Sequence, residues 1–149
     1  MRCGILWGMV IVIDTCVLVA GLRSRQGGSN RLLQLVSQGH LRPLVTTPLF
    51  LEYEAVLKRP ENQLATGLGL AQIDVFLGAL ASACHGVETH YRWRPQLRDS
   101  ADEMVLECVV NGAADYLVTF NLKGFGSSDK QFGYELATPG RFLQEYDQL

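Results

Sequence analysis

Asp14 closes the apolar run Val10-Ile11-Val12-Ile13, and Glu52 follows the Thr47-Pro48 pair by a few residues. Asp102 stands between Asp99 and Glu103 ahead of an apolar helical pattern, and Asn121 comes just after Tyr116-Leu117-Val118-Thr119. Carboxylates brought close together repel and raise one another's proton affinity, so such a cluster is costly without a cation to neutralise it. Oxygen-only ligands select a hard ion, Mg²⁺ or Mn²⁺, over zinc. An ion held in this way lowers the pKa of bound water and offsets charge developing on a phosphate, which is the chemistry of phosphodiester hydrolysis.

The elements that must position these groups are legible in outline. A buried strand spans Val10 to Ile13, followed by a short apolar stretch, Val17 to Ala20, and a Gly-, Ser- and Arg-rich loop from Gly21 to Asn30. Ser29 caps a helix with Leu32, Leu33, Leu35 and Val36 inward, ended by Gly39. A strand near Arg42 to Thr46 runs into a helix with Thr47 as N-cap and Pro48 at its first position, continuing to about Arg59. Leu70 to Cys84 repeats apolar residues with helical period until Gly86. Val87 to Trp93 alternates apolar and polar residues as a half-exposed strand does. Ser100-Ala101-Asp102-Glu103 reads as a capping box opening a helix with Val105, Leu106, Val109 and Val110 inward. Tyr116 to Thr119 and Tyr134 to Ala137 are short strands, Gly124 to Lys130 is a polar loop, and Thr138-Pro139 begins a terminal helix.

Strands alternating with helices predict a single three-layer α/β/α domain over residues 1–149 with a central, mostly parallel sheet. Met9, directly before the first strand, is a candidate start that leaves residues 1–8 as an N-terminal extension. In such sheets ligands bind beyond the carboxyl ends of the strands. Asp14, Glu52, Asp102 and Asn121 are all expected on that edge, because each follows a strand directly or sits in the first turns of a helix at it.

Composition removes other classes. Hydrophobic residues make up 48% and charged ones 19%, which excludes disorder and low-complexity sequence. Thirteen basic against 15 acidic residues leave a net charge of −2, so no strong overall field draws the chain to nucleic acid or membrane. The opening apolar run is too short to span a bilayer. Cys3, Cys16, Cys84 and Cys108 contain no C-x-x-C pair and read as reduced thiols of a cytoplasmic protein.

Structural roles compete for several of these residues. Glu54 rivals Glu52; the two point about 200° apart on a helix, so only one faces the cleft. Asp115 reads as a surface residue at a strand end. His40, His85 and His90 form no ligand pair, and Gln26-Gly27-Gly28-Ser29 lacks the end of a phosphate loop. Arg23, Arg25 and Arg31, and Arg92, Arg94 and Arg98 around Trp93, are solubilising groups that could also follow a phosphate backbone, with Trp93 for stacking. A haloacid-dehalogenase-type phosphatase needs a second Asp two residues after the first, where Cys16 stands; the acidic pair and late lysine of a receiver domain are not evident either.

Val-Ile-Asp-Thr-Cys-Val-Leu-Val, Thr-Pro-Leu-Phe-Leu-Glu-Tyr-Glu-Ala-Val-Leu, Arg-Asp-Ser-Ala-Asp-Glu and Ala-Asp-Tyr-Leu-Val-Thr-Phe-Asn, in this order, resemble the PIN-domain ribonucleases, and within them the toxin components of toxin-antitoxin systems. The resemblance covers Val10 to about Leu143. It implies Asp14, Glu52 and Asp102 as the catalytic acids and metal ligands, joined by Asn121 where many members have a fourth aspartate, with Thr15, Asp99 and Glu103 beside them. Gly124-Phe125 stands where Asp-Phe is frequent. The resemblance further implies a Mg²⁺- or Mn²⁺-dependent endoribonuclease that leaves a 5′-phosphate and a 3′-hydroxyl, an RNA substrate, a cognate antitoxin and a homodimer. The competing expectation is a catalytically silent module of the same fold that binds RNA or a partner.

Overall fold

A computed structural model of the chain describes residues 9–90 and 97–148. Its central strand is β4 (Tyr116–Val118), flanked in parallel by β1 (Ile11–Ile13) and β5 (Glu135–Ala137). All three residues of β1 and of β4 are buried, as expected for strands covered on both faces. A second parallel pair, β2 (Leu44–Val45) with β3 (His85–Gly86), lies beside β1. Helices α1 (Thr15–Arg23), α2 (Gly28–Ser37), α3 (Thr47–Leu57), α4 (Pro60–Thr66), α5 (Leu70–Ala83), α6 (Ser100–Gly112), α7 (Ser128–Phe132) and α8 (Pro139–Asp147) complete the α/β/α arrangement.

One continuous apolar core joins the layers. It includes Ile11, Val12, Leu18, Leu32, Leu49, Leu106, Leu117 and Phe142. The Phe142 and Tyr116 rings meet edge to face, with centroids 5.2 Å apart. An Arg31–Asp147 ion pair, at 2.6 and 2.8 Å, ties α2 to α8 on the surface and takes Arg31 out of the set of basic residues available to a phosphate backbone. No single helix among the described residues is long and apolar enough to cross a membrane.

The structure redraws several expected elements. Val17 to Ala20 belongs to α1, which runs on to Arg23 because Asp14 caps its start and Gly21 lets α2 approach closely. A Cβ at Gly21 would lie 2.6 Å from Leu33 Cδ1 and 3.1 Å from the Ser29 carbonyl. The loop therefore shrinks, Gly27 is the N-cap of α2, and Ser29 is buried within its first turn. Helix α3 is capped by Thr46 rather than Thr47. Helix α4 was not expected from the pattern; Pro60 opens it and Gly67, at φ 75°, ends it.

Of the strand expected over Val87 to Trp93, residues 87–90 carry no strand; the pairing falls at His85–Gly86, since β2 offers only two residues before its chain turns into the Thr46 cap. Residues 91 to 96, including Arg92, Trp93 and Arg94, lie outside the described residues, as do Cys3 and the 1–8 segment. The stretch Gly124 to Lys130 is not a plain loop. A 3₁₀ turn, Leu122–Phe125, and α7 occupy it, and Phe125 is fully buried beneath a Ser128 hydroxyl that donates to its carbonyl at 2.5 Å.

Candidate active site

The register of the central strands builds the site. Ile13 is opposite Val118, so the next residues, Asp14 and Thr119, leave the sheet side by side at its carboxyl edge. The Asp14 amide donates to the Val118 carbonyl at 2.9 Å, and the Thr119 hydroxyl donates to Asp14 Oδ2 at 2.6 Å. The other oxygen, Oδ1, accepts the Thr15 amide at 2.7 Å as the N-cap of α1. Cys16 Sγ lies 3.5 Å from Oδ2, and burial together with the Asp14 charge pushes this thiol up to about 11. Asp14 is thus buried, oriented through both oxygens and placed at the positive end of a helix.

A relay runs from there to the second acid. Thr119 Oγ1 also accepts the Asn121 amide at 2.9 Å, and Asn121 Nδ2 donates to Asp102 Oδ2 at 3.2 Å. Asp102, in the first turn of α6, is only 8% exposed. Burial, the Asp14 charge and the Asp99 charge, in that order, raise its pKa to about 6. Asp14 and Asp102 therefore sense one another, as two carboxylates sharing a site must. The donor set of two carboxylates and the Asn121 amide oxygen has the chemistry of a hard cation site.

Gly124 closes this corner. A Cβ there would lie 2.1 Å from Asn121 Nδ2 and 2.8 Å from Asp102 Oδ2. The Asn121 amide fills the space that a side chain at this position would need, its Oδ1 accepting the Gly124 amide at 3.3 Å.

Glu52 sits half-buried on α3, next to Tyr53, whose hydroxyl donates to the Ile13 carbonyl at 2.5 Å and fastens α3 to the end of β1. Burial holds the Tyr53 phenol well above its ordinary range, so it remains a donor. Glu52 is linked by no hydrogen bond or ion pair to Asp14 or Asp102. Among the described residues no three His, Cys, Asp or Glu side chains lie close enough to hold one ion. Two acids converge in this structure, and Glu52 stands off from them. Its rival Glu54 is engaged elsewhere, with Lys58 at 2.8 Å, and Lys58 in turn reaches Asp74.

The neighbouring acids have local duties. Asp99, not Ser100, is the N-cap of α6, accepting the Ala101 amide at 2.8 Å. Glu103 does not close a capping box, because its Oε1 accepts the Leu97 amide at 2.5 Å and draws the incoming chain onto the helix. The Thr15 side chain is buried, and it is the Thr15 backbone that meets Asp14. Asp115 is no mere surface residue; its Oδ2 accepts the Val10 amide at 2.9 Å and fixes the entry to β1. Of the residues that bind the site together, the sequence reading missed Thr119 and Cys16. Thr119 carried one signal, a hydroxyl at the strand end opposite Asp14.

No curated protein matches the chain. Among solved structures, VapBC2 from Rickettsia felis, crystallised bound to a DNA fragment from its promoter, matches with a TM-score of 0.56 at 16% identity, covering 87% of this chain and 98% of that one. The PIN domain family matches residues 10–123, from the first residue of the Val10 run through the relay at Thr119 and Asn121, and the chain belongs to that family.

Proposed function

We propose that the protein is a metal-dependent endoribonuclease, the toxin of a toxin-antitoxin pair. The observation that carries this reading is the relay from Asp14 through Thr119 and Asn121 to Asp102. It gathers two acids 88 residues apart in the sequence at the edge where sheets of this kind bind ligands. The VapBC2 likeness supports an antitoxin as partner, and the proposal includes a homodimer and a cytoplasmic location.

In this proposal Asp14 and Asp102 hold Mg²⁺ or Mn²⁺, with the Asn121 amide oxygen orienting an outer ligand. When bound, the cation supplies Lewis acidity toward the phosphate and a lower pKa for water. Glu52 positions the attacking water and accepts its proton on a carboxylate oxygen. Thr119 keeps Asp14 aimed, and Asn121 keeps Asp102 aimed. Water attacks phosphorus in line, and the products are a 5′-phosphate and a 3′-hydroxyl.

The test is cleavage of single-stranded and structured RNA with Mn²⁺ or Mg²⁺, with and without EDTA, beside Asp14→Asn. Cleavage lost in both EDTA and the variant supports the reading, and full activity in the variant refutes it. A second reading, a silent module that binds RNA or a partner, is favoured by the lack, among the described residues, of three acidic, His or Cys side chains grouped to hold one ion. Absence of Mn²⁺ binding at millimolar concentration selects it.

A further inference from the structure

Beside the acids lies a cavity of about 500 Å³, lined by Cys16, Val19, Arg23, Val56, Asn62 and Phe120 among others, within the range that small-molecule sites occupy. Cys16, Val19 and Arg23 fall on one face of α1, at i, i+3 and i+7. From Cys16, in contact with Asp14, to Arg23 is about 10 Å along the helix axis. The opposite wall comes from Val56 at the end of α3 and from Asn62 in α4, whose Nδ2 donates to the Val56 carbonyl at 2.7 Å and leaves its oxygen as an acceptor.

Phe120 is the conspicuous member. It is 53% exposed, although it stands between two residues committed to the acids, Thr119 to Asp14 and Asn121 to Asp102, and its backbone hydrogen-bonds Cys16. Its main chain is therefore held while its ring is left in solvent. A cleft that meets the acidic centre through Cys16 at one end of α1, carries an exposed arginine seven residues further along that helix and includes an exposed aromatic ring offers a contact for each part of a single-stranded polynucleotide. With a cation held by the acids a phosphate would sit at that end, while a base goes to the ring and a neighbouring phosphate to the guanidinium.

We propose that this cleft is a nucleotide subsite that takes an unstacked base of single-stranded RNA, with Phe120 as the stacking platform, Arg23 on an adjacent backbone phosphate and Asn62 as an acceptor for a base N–H. The inference rests on the nuclease reading and names the part of the substrate next to the cleaved bond. It makes Phe120 and Arg23 specificity-determining residues that take no part in bond cleavage. The stacking role assigned from sequence to Trp93 falls outside the described residues.

The experiment uses the full chain and a set of RNA hexanucleotides with 2-aminopurine placed at each position in turn, titrated in EDTA at low salt. The expected result is quenching at one position. Phe120→Ala removes the quenching and weakens binding about tenfold, and Phe120→Tyr restores both. Arg23→Ala lowers the slope of log affinity against log salt by about one. With Mn²⁺ added, Phe120→Ala raises KM and leaves kcat nearly unchanged. Equal quenching at all positions, or Phe120→Ala binding RNA as the wild type does, overturns the subsite. So does a variant that keeps RNA binding and loses only a protein partner. If the wild type fails to cleave with Mn²⁺, the nuclease reading falls, and the titrations in EDTA still decide the subsite.

Discussion

Asp102 lets the conflict between stability and function at this site be read directly. Its pKa lies at about 6, against an ordinary 3.8, because burial and the charges of Asp14 and Asp99 oppose its ionisation. At about 1.4 kcal/mol per pH unit, ionising it in the native state costs roughly 3 kcal/mol. The sign follows from linkage. Below 3.8 the group is protonated in both states and costs nothing. Between 3.8 and 6 the native state holds a proton that the unfolded chain releases, so stability falls as pH rises. Above 6 the full cost persists.

Asp102→Asn has the same shape, can still accept from Asn121, and is neutral at every pH. The metal-free variant should therefore be more stable than the wild type by about 3 kcal/mol at pH 8 and by only about 1 kcal/mol at pH 4.5. For a chain of this size the gain at pH 8 corresponds to a Tm higher by roughly 6–12 °C. Urea unfolding followed by circular dichroism, at both pH values and in EDTA, measures it. Adding Mn²⁺ should then raise the stability of the wild type and leave the variant where it was, since a ligand stabilises only the state that binds it. An advantage of the same size at both pH values would show that the Asp102 carboxylate is not under the pressure described, and equal stabilisation of both proteins by Mn²⁺ would remove it from the metal site.

Other perturbations test the supports of the site. Gly124→Ala pushes the Asn121 amide off Asp102, so RNA cleavage should fall on the order of ten- to a hundredfold with little change in Tm, read by an oligonucleotide cleavage assay and a thermal melt. Tyr53→Phe removes the bond from α3 to the Ile13 carbonyl and should destabilise the fold by about 1–2 kcal/mol, measured by urea unfolding. Ala113, at φ 51°, ends α6 in the left-handed region, and Ala113→Gly should stabilise the protein by about 1 kcal/mol in the same assay.

The acids were legible in the sequence because strand ends and helix starts mark themselves. Asp14 ends an unbroken apolar run, and Asp102 opens an apolar helical pattern. The relay between them was not, because it depends on strand register. Only the pairing of Ile13 with Val118 puts Thr119 against Asp14, and nothing local encodes which residue of one strand faces which of another. Local chemistry misled in the same way at Ser100 and Thr47, where two adjacent residues could each cap a helix and the chain used the earlier, Asp99 and Thr46. Helix α1 was hidden by its β-branched valines, which favour a strand in isolation, and Asp14 decides the matter by capping it. The half-buried stance of Glu52 rests on α3 being fastened through Tyr53, a contact that no pattern of spacing announces.

The Thr119 hydroxyl reaches back 105 residues to grip Asp14. During synthesis the two acids leave the ribosome unlinked, and the acidic centre is assembled only once the strand carrying Thr119 has emerged and seated itself beside the first. For a protein proposed to attack the cell's own RNA, late seating of that one strand delays the onset of toxicity until most of the chain exists outside the ribosome.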